Sequence, residues 1–109
     1  ERRVFQVLTY NVEKPNCNEH MIPVLLIMTS NCAEEMYPQI GYADMLEKYK
    51  STFERFVGPT EVLSCGNTLQ VNDYSRFDWT MFDSEAKKQY HDETFHEYLE
   101  KAFELGKKL

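Results

Sequence analysis

One uninterrupted apolar run, Met21-Ile22-Pro23-Val24-Leu25-Leu26-Ile27-Met28, constrains this chain more than any other stretch. Its Val and Ile content and its early proline predict a strand over Ile22–Met28, buried on both faces in the middle of a sheet. At eight residues the run is far shorter than the roughly 20 needed to cross a bilayer. The rest of the sequence reads as material that covers this strand.

Two amphipathic segments are suited to that task. After Gly41, the residues Tyr42, Met45, Leu46, Tyr49, Phe53 and Phe56 recur at three and four, which predicts a helix stopped by Gly58-Pro59. Asp44 and Lys48 are spaced for an ion pair on its outer side. A second helix begins near Asp83 or Ser84, either of which suits an N-cap, with Glu85 acidic in the first turn. Its packing stripe is expected along Phe95, Tyr98, Leu99, Ala102 and Phe103, with Glu97–Lys101 and Glu104–Lys108 pairs outside. Upstream, Asn31 and Glu34 have capping-box spacing, and Pro38 is expected to cut short the turn they open.

The remaining strands are read from alternation and turns. Val4 to Val12 alternates as a first strand, followed by a polar linker from Glu13 to His20. Glu61–Cys65 and Thr68–Asn72 flank Gly66-Asn67, a hairpin pattern in which glycine supplies positive φ at the first turn position. Phe77, Trp79 and Met81 alternate with Asp78, Thr80 and Phe82, predicting a further strand. The fold expected is therefore α+β: an antiparallel sheet of about five strands in the order β-β-α-β-β-β-α, with two main helices packed on it. This order is similar to that of PAS-like and longin- or profilin-like modules. Residues 1–109 read as one domain, and the first residue Glu1 with a helix running to Leu109 reads as a piece of a longer protein.

Composition narrows the function. A net charge of -6 disfavours nucleic acid and anionic membrane as partners, because both need clustered Lys and Arg, and the only adjacent basic residues are bare pairs. Three cysteines cannot all pair with one another, and no Asn-x-Ser/Thr site occurs, which points to a reducing intracellular setting, cytoplasmic or nuclear.

Candidate chemistry is sparse. His91, Asp92, Glu93, His96 and Glu97 are metal-capable, yet the histidines are five apart rather than the four that places two imidazoles on one helix face. Cys32 at a helix start, with His20, His91 or His96 as base, is the best nucleophile candidate, and no local signature surrounds it. Glycines are too scattered to cradle a phosphate. Asp78-Trp79-Thr80-Met81-Phe82-Asp83 resembles the first aspartate motif of some viral RNA-dependent RNA polymerases, which implies a metal role for Asp78 and Asp83. The Gly-Asp-Asp partner motif of that family is missing, and the plainer reading makes Asp83 a helix cap and Asp78 a solvated strand residue. No metal site and no cofactor is predicted.

Aromatic residues are the most informative feature, with seven Phe, seven Tyr and one Trp. They predict either a well-filled core or a surface kept for company. The function expected is a non-enzymatic protein-protein interaction or dimerisation domain with Trp79, Tyr98 and Phe103 as anchors. The alternatives are a small-ligand sensor pocket between Tyr49, Phe53 and the strand from Phe77, and a metal-dependent enzyme fragment using Asp78 and Asp83.

Overall fold

The computed structural model describes residues 9, 11–14 and 16–109. The apolar run does form a strand, β1, over Val24–Thr29. Its partner is β2, Thr60–Cys65, and the two run parallel, with Val24 opposite Thr60 and Thr29 opposite Cys65. A parallel pair cannot be joined by a tight turn. The intervening chain is a crossover carrying a 3-10 turn at Glu34–Met36, a short helix α1 at Tyr37–Ile40, and α2 at Tyr42–Phe56. A second 3-10 turn, Tyr74–Arg76, precedes the long helix α3, Ser84–Gly106.

The architecture is thus α+β, but the antiparallel five-stranded sheet is not formed: among the described residues the sheet has two strands, both parallel. The hairpin expected around Gly66-Asn67 fails because the backbone beyond β2 is already engaged by the chain leaving β1. Asn67 N–H donates to Cys32 O at 2.8 Å and Thr68 N–H to Ser30 O at 2.9 Å. The positive φ belongs to Asn67, at 54°, and not to Gly66. Phe77 to Met81 is irregular rather than a strand. Asp73 caps the 3-10 turn through Ser75 N–H, and the rings of Tyr74, Trp79 and Phe82 gather on one another instead of alternating across a sheet. Most of the first strand expected over Val4–Val12 lies outside the described residues; Val12 itself sits in a bend and is 96% exposed.

The helices follow local chemistry closely. Pro38 does not interrupt a helix but occupies the first turn of α1, where its missing N–H costs nothing. Gly41, at φ 81°, ends α1 in the left-handed region and lets α2 start at the next residue. At the far end of α2, Val57 and Gly58 N–H groups both close on Phe53 O. The side-chain amides of Asn16 and Asn18 donate to Arg55 O and Phe56 O, satisfying carbonyls that the helix leaves open. Gly58 also has a steric duty: a Cβ there would lie 1.9 Å from Ile22 O, where the strand approaches. The predicted Asp44–Lys48 and Glu104–Lys108 pairs give way to Lys50–Glu54 and Glu104–Lys107.

The central strand is not covered on both faces. Leu25 and Glu61 border a cavity of about 80 Å³ with Leu105 and Leu109, which places α3 on the face shared by Leu25, Ile27, Leu63 and Cys65. On that face Leu63 is 7% exposed while its neighbour Ile27 is 52% exposed. The helix therefore shields Leu63 and Cys65 of β2 and half-buries Leu25, but leaves Ile27 of β1 open. The α3 stripe that packs keeps Phe95, Tyr98 and Ala102 of the predicted one, which are half-buried, but not Leu99 or Phe103. Its buried and half-buried positions include Lys87, His91, Thr94, Tyr98, Ala102 and Leu105, whereas Leu99 and Phe103 are 58% and 67% exposed.

Two glycine substitutions should separate space from backbone freedom. Gly58→Ala should lower the unfolding free energy by about 3 kcal/mol or more through the clash with Ile22. Gly106→Ala, at a helical position with open space, should raise it by about 0.5 kcal/mol. Urea unfolding followed by far-UV circular dichroism measures both.

Candidate functional site

Parallel strands deliver their carboxyl ends to the same end of the sheet, and in α/β proteins ligands bind in that region. Here the place is filled by a polar network. Ser30, buried where β1 ends, donates its N–H to Cys65 O at 3.0 Å and bonds Tyr37 OH through its hydroxyl at 2.6 Å. The hydroxyl of Thr68 closes on Ser30 O at 2.9 Å. Glu34 does not complete a capping box; the residue before the 3-10 turn, Ala33, makes no side-chain cap. Its carboxylate accepts instead from Gly66 N–H at 3.2 Å and from Tyr98 O–H at 2.8 Å. Gly66 is required for that approach, since a Cβ would lie 2.7 Å from Glu34 N. The phenolic hydroxyls of Tyr90 and Tyr98 sit 3.2 Å apart and extend the network along α3.

Lys87 anchors the start of α3 to the same end. It is 4% exposed and donates from Nζ to Asn31 O at 2.7 Å and to Asn67 Oδ1 at 2.9 Å, with the Phe82 ring beside the ammonium at 5.0 Å. Burial lowers its pKa below the usual lysine value. Burial raises the Tyr98 phenol well above its usual value, aided by the Tyr90 and Glu34 bonds. Burial is likewise the main cause raising Tyr37 and Cys65, reinforced at both by the charge of Glu34. Both hydrogen bonds of Lys87 and both of Glu34 go to partners in the chain, so this network ties three segments together and holds no unspent donor set.

The predicted site residues divide into two groups. Phe77 and Trp79 meet: with Asn72, Asp73, Tyr74, Ser75, Ser84, Glu85 and Lys88 they line a groove of about 270 Å³ between the 3-10 turn and the start of α3. Trp79 stands edge-on to Tyr74 at 5.4 Å and tilted against Phe82 at 4.9 Å, and its Nε1 is buried without a hydrogen-bond partner. Phe77 is 53% exposed. Tyr49, by contrast, borders a shallow depression with Gly41, Met45 and Thr52, and none of the cavities described among these residues joins it to Phe53 or to the segment from Phe77. Tyr98 is half-buried and committed to Glu34, and Phe103 stands exposed on α3.

The chemistry read from spacing is placed elsewhere. Asp83 Oδ1 accepts from Glu85 and Ala86 N–H groups as the N-cap of α3, while Asp78 is exposed. His91 stacks on Phe95 at 4.6 Å. Among the described residues no three His, Cys, Asp or Glu side chains converge as metal ligands. Cys32 lies two residues before the 3-10 turn, with its Sγ against Ser30 Oγ. Lys87 was missed because it reads as an ordinary surface charge, and Glu34 because its spacing from Asn31 reads as a capping box. The signal for Lys87 is its register, since it falls on the line of Thr94, Tyr98 and Leu105.

Comparison with protein-family models, curated proteins and solved structures finds no match.

The network makes stability fall in alkali. Cys65, Tyr37 and Tyr98 have folded values raised above their ordinary 9.0, 10.0 and 10.0, so their contributions are complete below those values and are lost as the unfolded chain ionises first. Lys87, lowered from 10.5, works in the opposite sense in the window below that value. The urea midpoint should therefore fall from about pH 9 upward, and less steeply in Tyr98→Phe. That variant should also lose about 1 kcal/mol at pH 7 as Glu34 loses a donor.

Proposed function

We propose that this chain is a non-enzymatic protein-protein interaction or dimerisation domain whose open apolar surface is covered by another polypeptide. The supporting observation is the half-covered parallel sheet. Parallel strands ordinarily have both faces shielded, yet Ile27 in mid-strand is 52% exposed and Ile22 just before it 57%. Leu99 and Phe103 add apolar area on α3, and none of the described side chains falls below 2% exposure. Exposed apolar groups of this kind are the material of interfaces, where a few large side chains carry most of the binding energy.

The exposed apolar surface supports this reading over a sensor pocket at Tyr49 and Phe53 or a metal site at Asp78 and Asp83, whose Asp83 caps α3. No described helix is long and apolar enough to cross a membrane. The cysteines Cys17, Cys32 and Cys65 are free, which supports a reducing intracellular setting.

Sedimentation and pull-down with immobilised chain test the reading. Phe103→Ser should leave the unfolding free energy within about 0.5 kcal/mol, and Ile27→Ser should lower it by about 1 kcal/mol without unfolding the chain. Each should weaken association by about tenfold or more. A wild-type chain that stays monomeric at millimolar concentration and retains no partner would contradict it.

A further inference from the structure

We infer, resting on the interaction reading above, that the groove of Tyr74, Phe77 and Trp79 receives an arginine side chain from a basic peptide segment of the partner. The groove's walls supply two things that a guanidinium uses together. Its aromatic side is open, because Phe77 is 53% exposed and tilts toward Trp79 with centroids 6.2 Å apart. A planar cation stacks on such faces with less desolvation than an ammonium. Its rim is acidic: Asp73 and Glu85 line it, and Lys88 is its only cation. The groove continues across Glu85 and Lys88 into a shallow hollow bordered by Asp83, Asp92 and Glu93. Five carboxylates against one ammonium along this path set the sign of the occupant. The track extends beyond a single side chain, which favours a peptide carrying more than one basic residue over a free small cation.

Part of this acidity is already committed. Asp83 caps α3, Asp73 Oδ1 accepts from Ser75, and Glu93 accepts from Gln89. None of the described hydrogen bonds or ion pairs uses Glu85 or Asp92 side chains as acceptors, which leaves Glu85 at the groove and Asp92 in the hollow as the principal contacts. Lys88 lies between them and opposes a cation, so it should lower affinity and sharpen the preference for a ligand that can stack.

The single tryptophan, Trp79, reports directly on the groove. A blocked peptide containing two arginines is titrated into the full chain while its fluorescence is followed, with the citrulline peptide of the same shape as control. A saturable change is expected for arginine, at least about tenfold weaker for citrulline, and weakened by added salt. Glu85→Gln and Phe77→Ala should each weaken binding by about 3- to 10-fold, and Lys88→Gln should strengthen it by about 2-fold. Calorimetry on the same variants, with unchanged circular dichroism, guards against loss of fold. No saturable change, an equal response to citrulline, or indifference to Glu85→Gln overturns the inference. If association through Ile27 and Phe103 survives such a result, only the groove assignment falls; if that association is absent too, the interaction reading falls with it.

Discussion

The parallel pairing of β1 with β2 is the constraint from which the rest follows. It forces residues 30–59 to cross over, and it brings the exits of both strands together, where Ser30, Glu34, Gly66, Asn67 and Thr68 close on one another. Those bonds engage the backbone N–H groups of Gly66, Asn67 and Thr68, where a hairpin after β2 would have to turn. They also provide the anchor points, Asn31 O and Asn67 Oδ1, on which Lys87 fixes the beginning of α3. A buried ammonium is costly to desolvate, and here neutral acceptors and an aromatic face offset that cost without a carboxylate partner. The network is a fastening between elements, and its chemistry is spent within the chain.

A two-stranded sheet offers one helix little width to cover. With α3 lying over Leu63 and Cys65, Ile27 remains open on the same face. Leu99 and Phe103 are exposed because the helix rotates to bring Lys87, Tyr98 and Leu105 inward. The apolar surface is thus a geometrical consequence of how the polar fastening orients α3. Its cost in exposed apolar area is offset only when something else lies on it, and this supports the proposed interaction role.

Local features were legible in the sequence, and long-range ones were not. The α2 boundaries, the Asp83 cap and the strand character of Val24–Met28 depend on nearby residues, and spacing alone reveals them. Strand direction depends on what the chain meets after a crossover, so Gly66-Asn67 carried a genuine turn signal with the wrong partner attached. The alternation of Phe77, Trp79 and Met81 matched a strand, but ring-on-ring contacts of Trp79 with Tyr74 and Phe82 outweighed the pleat. The aromatic half of the groove was visible because Trp79 and Phe77 are conspicuous; Lys87 was hidden because a charge on an amphipathic helix ordinarily faces water, and Glu34 because its spacing from Asn31 signalled a cap rather than a tie to Gly66 and Tyr98.

Nuclear Overhauser contacts between backbone protons of the two strands give the most direct test of the parallel pairing. Contacts in the register of Leu26 with Val62 and Met28 with Ser64, in parallel sense, are the predicted result. Antiparallel contacts between Glu61–Cys65 and Thr68–Asn72, with no proximity of β2 to β1, would contradict the account.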